Sequence, residues 1–575
     1  MSIATQIILP FSSIFPDETP KEVNEYLQGI PKEILMTAGC FFLGFNNFGS
    51  QYSDPENFIK MHLGSNSAQI EEATKNIKAF LAENGYVTET PTILFVVSSL
   101  RLFEIAFQLD ERKQNKTQKQ SELDIFKAYL VLNGKLSQRS QTISQIEQLF
   151  HGHKRTAANL LFNQFDRNDL INYNKSELYS TQLLRAVMFF EFLIQREDCY
   201  LLLQEFYRYF GVKDYKDYLK RLLTLAFAVI TAENEAHTDI RLDDDAQVYF
   251  LDRLAINNIE IIDDFDFKAI RANPIYKVAD GIYRIISPLF AIELIYNGLF
   301  WKFKEVYNQM PEHNRPKNLQ GLKTLDFSEK YVLNSILRKY FGDRYIQKTG
   351  KELDGRYDGA PDYYVRNLDN IILFESKDIM INAEVKESLD FLKIQEALSE
   401  KLYKKANGKP NAVLQLIKSI TKILSKKQGF DNDYSADEAI INSVIILHHR
   451  MFNNAGLNKF INFWFQEELQ ILKDQGFNIT NVRPLVIIDI DTLIFNQDVF
   501  ADRFLDLELC LREYQTNYIG YSPETNRNSN SNGYISTAYK NSFLPFSKYL
   551  ENKISQMDLP PIPREVAVKH SQIFN

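Results

Sequence analysis

Apolar positions along this chain keep two different rhythms, and the change between them falls a little past residue 310. In the first part they recur at helical spacing over 70–84, 121–131, 141–149, 159–165, 181–209 and 215–230, with aromatic-rich stripes in the last two. Residues 92–109 are almost continuously apolar and predict a buried helix or strand. The polar, aperiodic tract 111–120 predicts a linker inside this mainly helical region. Asp243, Asp244 and Asp245 precede an apolar-periodic stretch, where acids complement a helix dipole. Two short runs, 276–278 and 282–286, flank Asp280-Gly281, and a helix begins near Pro288. This hairpin-plus-helix unit over 270–305 reads either as a winged-helix-like element that touches DNA or as a packing device.

Pro311, Pro316 and Gly321 mark a boundary over 310–322, so residues 1–310 are expected to form one region. The next domain is expected over 320–500. Asp326, Ser328 and Glu329 form a capping-box pattern that opens a helix to Phe341. Turn-rich 342–359 predicts a hairpin, followed by strands over 363–365 and 371–377. Helices over 387–405 and 411–424 follow, then a strand over 441–447, a helix over 457–472 and a strand over 484–490. The fold class is therefore α+β, with an α/β core ordered helix, three strands, helices, strand, helix, strand. Residues 501–575 predict a helical extension interrupted by a flexible loop at 522–533.

A length of 575 residues exceeds what one hydrophobic core serves. No apolar run approaches the ~18 residues that span a bilayer, and the first residues lack a basic leader segment, so a cytoplasmic protein is expected. The three cysteines, Cys40, Cys199 and Cys510, lie too far apart in sequence for a zinc spacing. A net charge of −8 excludes a surface that coats nucleic acid all round. It leaves room for a local patch, and eight lysines between 401 and 427 have no Asp or Glu among them. Lys404, Lys405, Lys409, Lys418 and Lys422 are the candidates for contacts to a nucleic-acid backbone; the other reading is a solvated helix face. The eight histidines are scattered, and there is no Gly-rich phosphate loop or nucleophile elbow.

The chemistry concentrates at 354–377. Strand alternation puts Leu373, Glu375 and Lys377 on one face and Ile372, Phe374 and Ser376 on the other. If the preceding strand pairs with this one, Asp362 comes close to Glu375. Two carboxylates with an ammonium beside them can hold a hard divalent ion and steady a charged transition state. Pro361-Asp362 followed by Glu375-Ser376-Lys377 resembles the PD-(D/E)XK nuclease superfamily, the restriction-endonuclease-like fold, over about 327–495. The resemblance implies Asp362 and Glu375 as ligands of Mg2+, with Mn2+ able to substitute, and Lys377 as the catalytic cation. It also implies Glu329 on the first core helix and Gln415 on the helix after the lysine; a helix cap is the favoured reading of Glu329, and surface glutamines like Gln415 are common.

The expected activity is a metal-dependent endonuclease on double-stranded DNA, by analogy a restriction or anti-phage defence effector. The helical region would then sense, regulate, or dock a protein partner or a second copy, with no membrane involved. The alternatives are a scaffold with an inactive nuclease-like domain and a ribonuclease using the same site.

Overall fold

Alternation of β-branched and aromatic residues produces a sheet wherever helices are available to cover both faces, and the second half of the chain meets that condition. In the computed structural model, which describes residues 6–45, 54–64, 66–86, 90–110, 115–136, 140–171, 173–232, 237–257, 266–520 and 532–574, the chain is α+β. It divides into two units, residues 1–141 with 205–306 and residues 142–204 with 307–575. Among the described residues no helix is long and apolar enough to cross a membrane.

In the first unit, a parallel pair joins β1 (Gln6–Ile8) to β2 (Thr90–Thr92). The apolar stretch expected over 92–109 resolves into β2 and the Val96–Gln108 helix, which packs on Lys32–Phe45. Later in the unit come β3 (Asp239–Arg241), β4 (Ile275–Ala279) and β5 (Ile282–Ile285), an antiparallel sheet of order β3-β5-β4. The hairpin turns at Gly281, whose φ of +70° and closeness to the Leu242 carbonyl leave no space for a side chain. Asp244 caps the Asp245–Asp252 helix by accepting from the Ala246 amide, as the acid run implied. Arg284 is buried and donates to both oxygens of Asp239, so this cation of the sheet is committed to packing. Of the linker tract, residues 111–114 lie outside the described residues, and the Gln118–Leu136 helix has begun before the tract ends.

The second unit holds a five-stranded sheet of order β10-β9-β8-β7-β6. Its strands are β6 (Ile346–Thr349), β7 (Tyr363–Asn367), β8 (Asn370–Lys377), β9 (Ile440–Leu447) and β10 (Val486–Asp489). β6, β7 and β8 form an antiparallel meander, whereas β8, β9 and β10 run parallel. Arg366 and Tyr364 of β7 both bond the buried carboxylate of Asp431, at 2.6 and 2.9 Å from the guanidinium and 2.8 Å from the phenol. One face of the sheet shares a core with the helices Phe391–Leu402, Ala412–Leu424 and Leu457–Asp474.

Three features differ from the sequence expectation. Residues 142–204, read as part of the first region, build into the sheet-bearing unit: Ala157, Ala158, Leu161, Phe162 and Phe165 of the Gly152–Phe165 helix lie in one core with Ile371 and Leu373. A helical stripe states that a face is buried but not against what, so spacing alone could not assign this partner. The expected cap at Asp326 is absent, because the helix is already running from Leu319 and passes through a π-helical stretch, Leu322–Val332, into Leu333–Phe341. Turn-rich 342–359 contributes one strand, β6, and then a helical turn, Gly350–Leu353, that Thr349 and Glu352 cap reciprocally. The flexible loop expected at 522–533 falls outside the described residues up to 531, and the Asn532–Asn541 helix starts immediately after.

Candidate functional site

The antiparallel register of β7 on β8 pairs Tyr364 with Leu373 and Tyr363 with Phe374. One step further, Asp362 stands directly opposite Glu375, on the face that Leu373 also shares. Lys377 lies two residues on along the same face. Its Nζ donates to Glu375 Oε2 at 3.1 Å and sits 3.6 Å from Asp362 Oδ2. Asp362 Oδ2 also accepts from the Ser376 amide at 2.8 Å, which ties the β7 entry to β8. Glu375 is fully buried, and its second oxygen, Oε1, has no hydrogen-bond partner. Burial and the Asp362 carboxylate hold the Glu375 carboxyl well above the usual carboxylate range, against the pull of Lys377. Burial also disfavours the Lys377 ammonium, but Asp362, Glu375 and Glu329 together outweigh it and hold the lysine above its ordinary pKa. Lys377 is therefore charged.

Glu329 does not serve a helix cap. It reaches the end of β8, where its Oε1 accepts from the Asp378 amide at 3.2 Å. Burial pushes it up to about 7, with Lys377 opposing and Asp362 reinforcing the shift. Its position follows from the π-helical stretch. Hydrogen bonds closing at i→i+5 bring residues five apart towards one side, so that Lys323 and Ser328 both bond Asp378 Oδ2, at 2.5 and 2.6 Å. Burial would raise Asp378, but Lys323 and His448 more than reverse it and bring the carboxyl down to about 2. Asp378 belongs to the far face of β8 and braces the strand end from behind.

Sequence reasoning missed the rest of that brace. Ser376 Oγ bonds Nε2 of His448 at 2.8 Å, and burial lowers His448 to about 3, so the ring is neutral near pH 7 and charged only in the acid range where Asp378 itself titrates. Arg185, 1% exposed on the Lys175–Ile194 helix, donates to the His448 carbonyl and, at 3.0 Å, to Asp491 Oδ1. The only available signal was Asp378, directly after the Glu-Ser-Lys run; nothing in the sequence connects Arg185 to a strand more than 180 residues later.

The structure does not bring Gln415 into this group. It lies half-buried on Ala412–Leu424, its carbonyl accepts from Ser419 Oγ, and among the described interactions its side chain bonds none of the site residues. The lysines fall into two sets. Lys404, Lys405 and Lys409 are exposed around a turn closed by the Lys405 amide on the Lys409 carbonyl. Lys418 and Lys422 lean over the 358–359 turn that leads to Asp362, and both bond Asp358.

Among the described residues no three His, Cys, Asp or Glu side chains gather closely enough to hold a metal by themselves. The pair Asp362 and Glu375 nonetheless suits Mg2+, which uses one or two carboxylates and completes its shell with water and substrate phosphate. The unpartnered buried Oε1 of Glu375 is the donor such an ion needs. Chemically, the arrangement offers the carboxyl oxygens of two side chains and one fixed cation at a sheet end, with Glu329, pushed up to about 7, beside them. No protein-family model, no curated protein and no solved structure matches the chain.

Proposed function

We propose that this protein is a metal-dependent endonuclease that hydrolyses phosphodiester bonds in DNA at the β7–β8 end, on a nuclease core of the PD-(D/E)XK type. The observation that carries the reading is the convergence of Asp362 and Glu375 on one ammonium, with a buried oxygen of Glu375 left without a partner. Burial makes a spare acceptor at that position costly, and a bound cation would use it.

Asp362 and Glu375 would hold Mg2+. Bound there, the ion supplies Lewis-acid polarisation of the phosphoryl oxygen. Lys377 presents a fixed positive charge where negative charge grows in the transition state. The Ser376 amide keeps Asp362 turned towards Glu375, and the Asp378 brace keeps Lys377 at the strand end. Glu329, charged or neutral according to pH around 7, sets how much negative charge Lys377 must balance.

Incubating the purified protein with Mg2+ or Mn2+ and duplex DNA, single-stranded DNA, duplex RNA and single-stranded RNA in parallel tests the substrate class. Cleavage of duplex DNA, lost in Asp362→Ala and Glu375→Ala, is expected. Cleavage of RNA alone would transfer the site to a ribonuclease, and binding without cleavage in either metal would leave a scaffold.

A further inference from the structure

The basic stretch 401–427 contains no acid of its own, yet two of its lysines are already neutralised by an acid from elsewhere. Lys418 Nζ lies 2.7 Å from Asp358 Oδ1; Lys422 Nζ bonds the Asp358 carbonyl and lies 3.4 Å from Oδ2. Lys418 and Lys422 are one helical turn apart on Ala412–Leu424, so they converge from one side. The turn is shaped for the contact. Gly359 has φ +66°, the Lys418 stem passes 2.7 Å from where a Cβ would sit, and Ser419 Oγ donates to the Gly359 carbonyl at 2.8 Å. Asp358 stands four residues before Asp362, on the loop that delivers that carboxylate to the site.

We propose that Lys418 and Lys422 are a phosphate-contacting site for the backbone of the nucleic acid, and that Asp358 occupies it in the free protein as a built-in competitor. The proposal rests on the nuclease reading above and adds a regulatory contact to it. A phosphodiester oxygen is an acceptor of the same kind as a carboxylate oxygen, so one can replace the other on the two ammonium groups. The Asp358 side chain is 78% exposed, which leaves these pairs screened by water and easily exchanged. Lys404, Lys405 and Lys409 of the same basic stretch have no such competitor on their exposed turn among the described interactions. Substrate engagement would then free Asp358 and loosen the strap on the loop carrying Asp362.

The test uses the full chain with Glu375→Gln, so that nothing is cut, and a fluorescent DNA duplex titrated over a salt series. Adding Asp358→Asn should tighten binding roughly three- to tenfold at about 0.1 M salt and steepen the log–log salt slope by about 0.9 for each further phosphate neutralised. Replacing Lys418 and Lys422 by Ala should abolish that tightening, with circular dichroism confirming that each variant is folded. Unchanged or weaker binding in Asp358→Asn, a tightening that persists without the two lysines, or no binding by any variant would overturn the proposal. The nuclease reading fails separately: a chain that shows the Asp358 effect but does not cut in Mg2+ or Mn2+ keeps the phosphate site and loses the catalytic one.

Discussion

Glu375 shows how a single residue reveals a site. It is fully buried, one oxygen rests on Lys377, and the other meets no donor. Asp378 on the far face is paired instead: it collects Lys323 and Ser328, which help bring its carboxyl down to about 2. The two carboxyls should therefore behave oppositely with pH. Asp378 contributes stability above its ordinary pKa of 3.8, and the contribution is lost as pH falls through about 2. Asp378→Asn should cost about 2 kcal/mol at pH 7, with the difference shrinking towards pH 2, as read from denaturant midpoints. Glu329 is raised, so the folded state favours its neutral form and loses stability as pH climbs from 4.5 through about 7. Glu329→Gln should flatten that part of the profile. An unchanged profile would mean that Glu329 is more hydrated than its burial indicates. Asp362, Glu375 and Lys377 are legible in the sequence because alternation alone assigns faces to a strand. The placement of Glu329 depends on a π-helical stretch that no periodicity announces.

At the scale of elements, the helix Ala412–Leu424 does two jobs on opposite sides. Val413, Leu416, Ile420 and Ile423 are buried against the sheet, and Lys418 and Lys422 face the 358–359 turn. Leu416→Ala should destabilise the unit by about 2–5 kcal/mol, because a fully buried side chain leaves a cavity over the sheet. Lys418→Ala should change stability by less than about 0.5 kcal/mol. Thermal unfolding of the two variants distinguishes these roles, and comparable losses would show that the ion pair with Asp358 carries structural weight. This helix is legible from its stripe, and β8 and β9 are legible because each is an eight-residue run rich in apolar and β-branched residues. Short or mixed runs are harder to assign. β6 covers four residues and gives way at once to a capped helical turn, so a pattern that promises a hairpin yields half of one. Gln415 shows what resemblance alone leaves open: among the described interactions its main-chain carbonyl accepts from Ser419, and its side chain bonds none of the site residues.

For the whole molecule, the sheet-bearing unit is discontinuous in sequence. Residues 142–204 supply Phe162 and Phe165 to its core and Arg185 to the brace behind β8 and β9. A fragment of residues 307–575 should therefore expose apolar core and aggregate, whereas one of residues 142–575 should retain more of the fold by circular dichroism. A soluble, cooperatively melting 307–575 fragment would show that the helices before it are dispensable. The net charge of −8 makes any nucleic-acid contact local, and Lys418 and Lys422, proposed to provide one, bond Asp358 on the loop carrying Asp362. The most direct measurement is supercoiled plasmid incubated with Mg2+ and either the natural chain or Lys377→Ala, with EDTA as the control. A catalytic role for Lys377 predicts nicking by the natural chain that EDTA abolishes, and a loss of at least about 100-fold in Lys377→Ala with the melting temperature lowered by no more than about a few degrees. Equal nicking by the two proteins would contradict it.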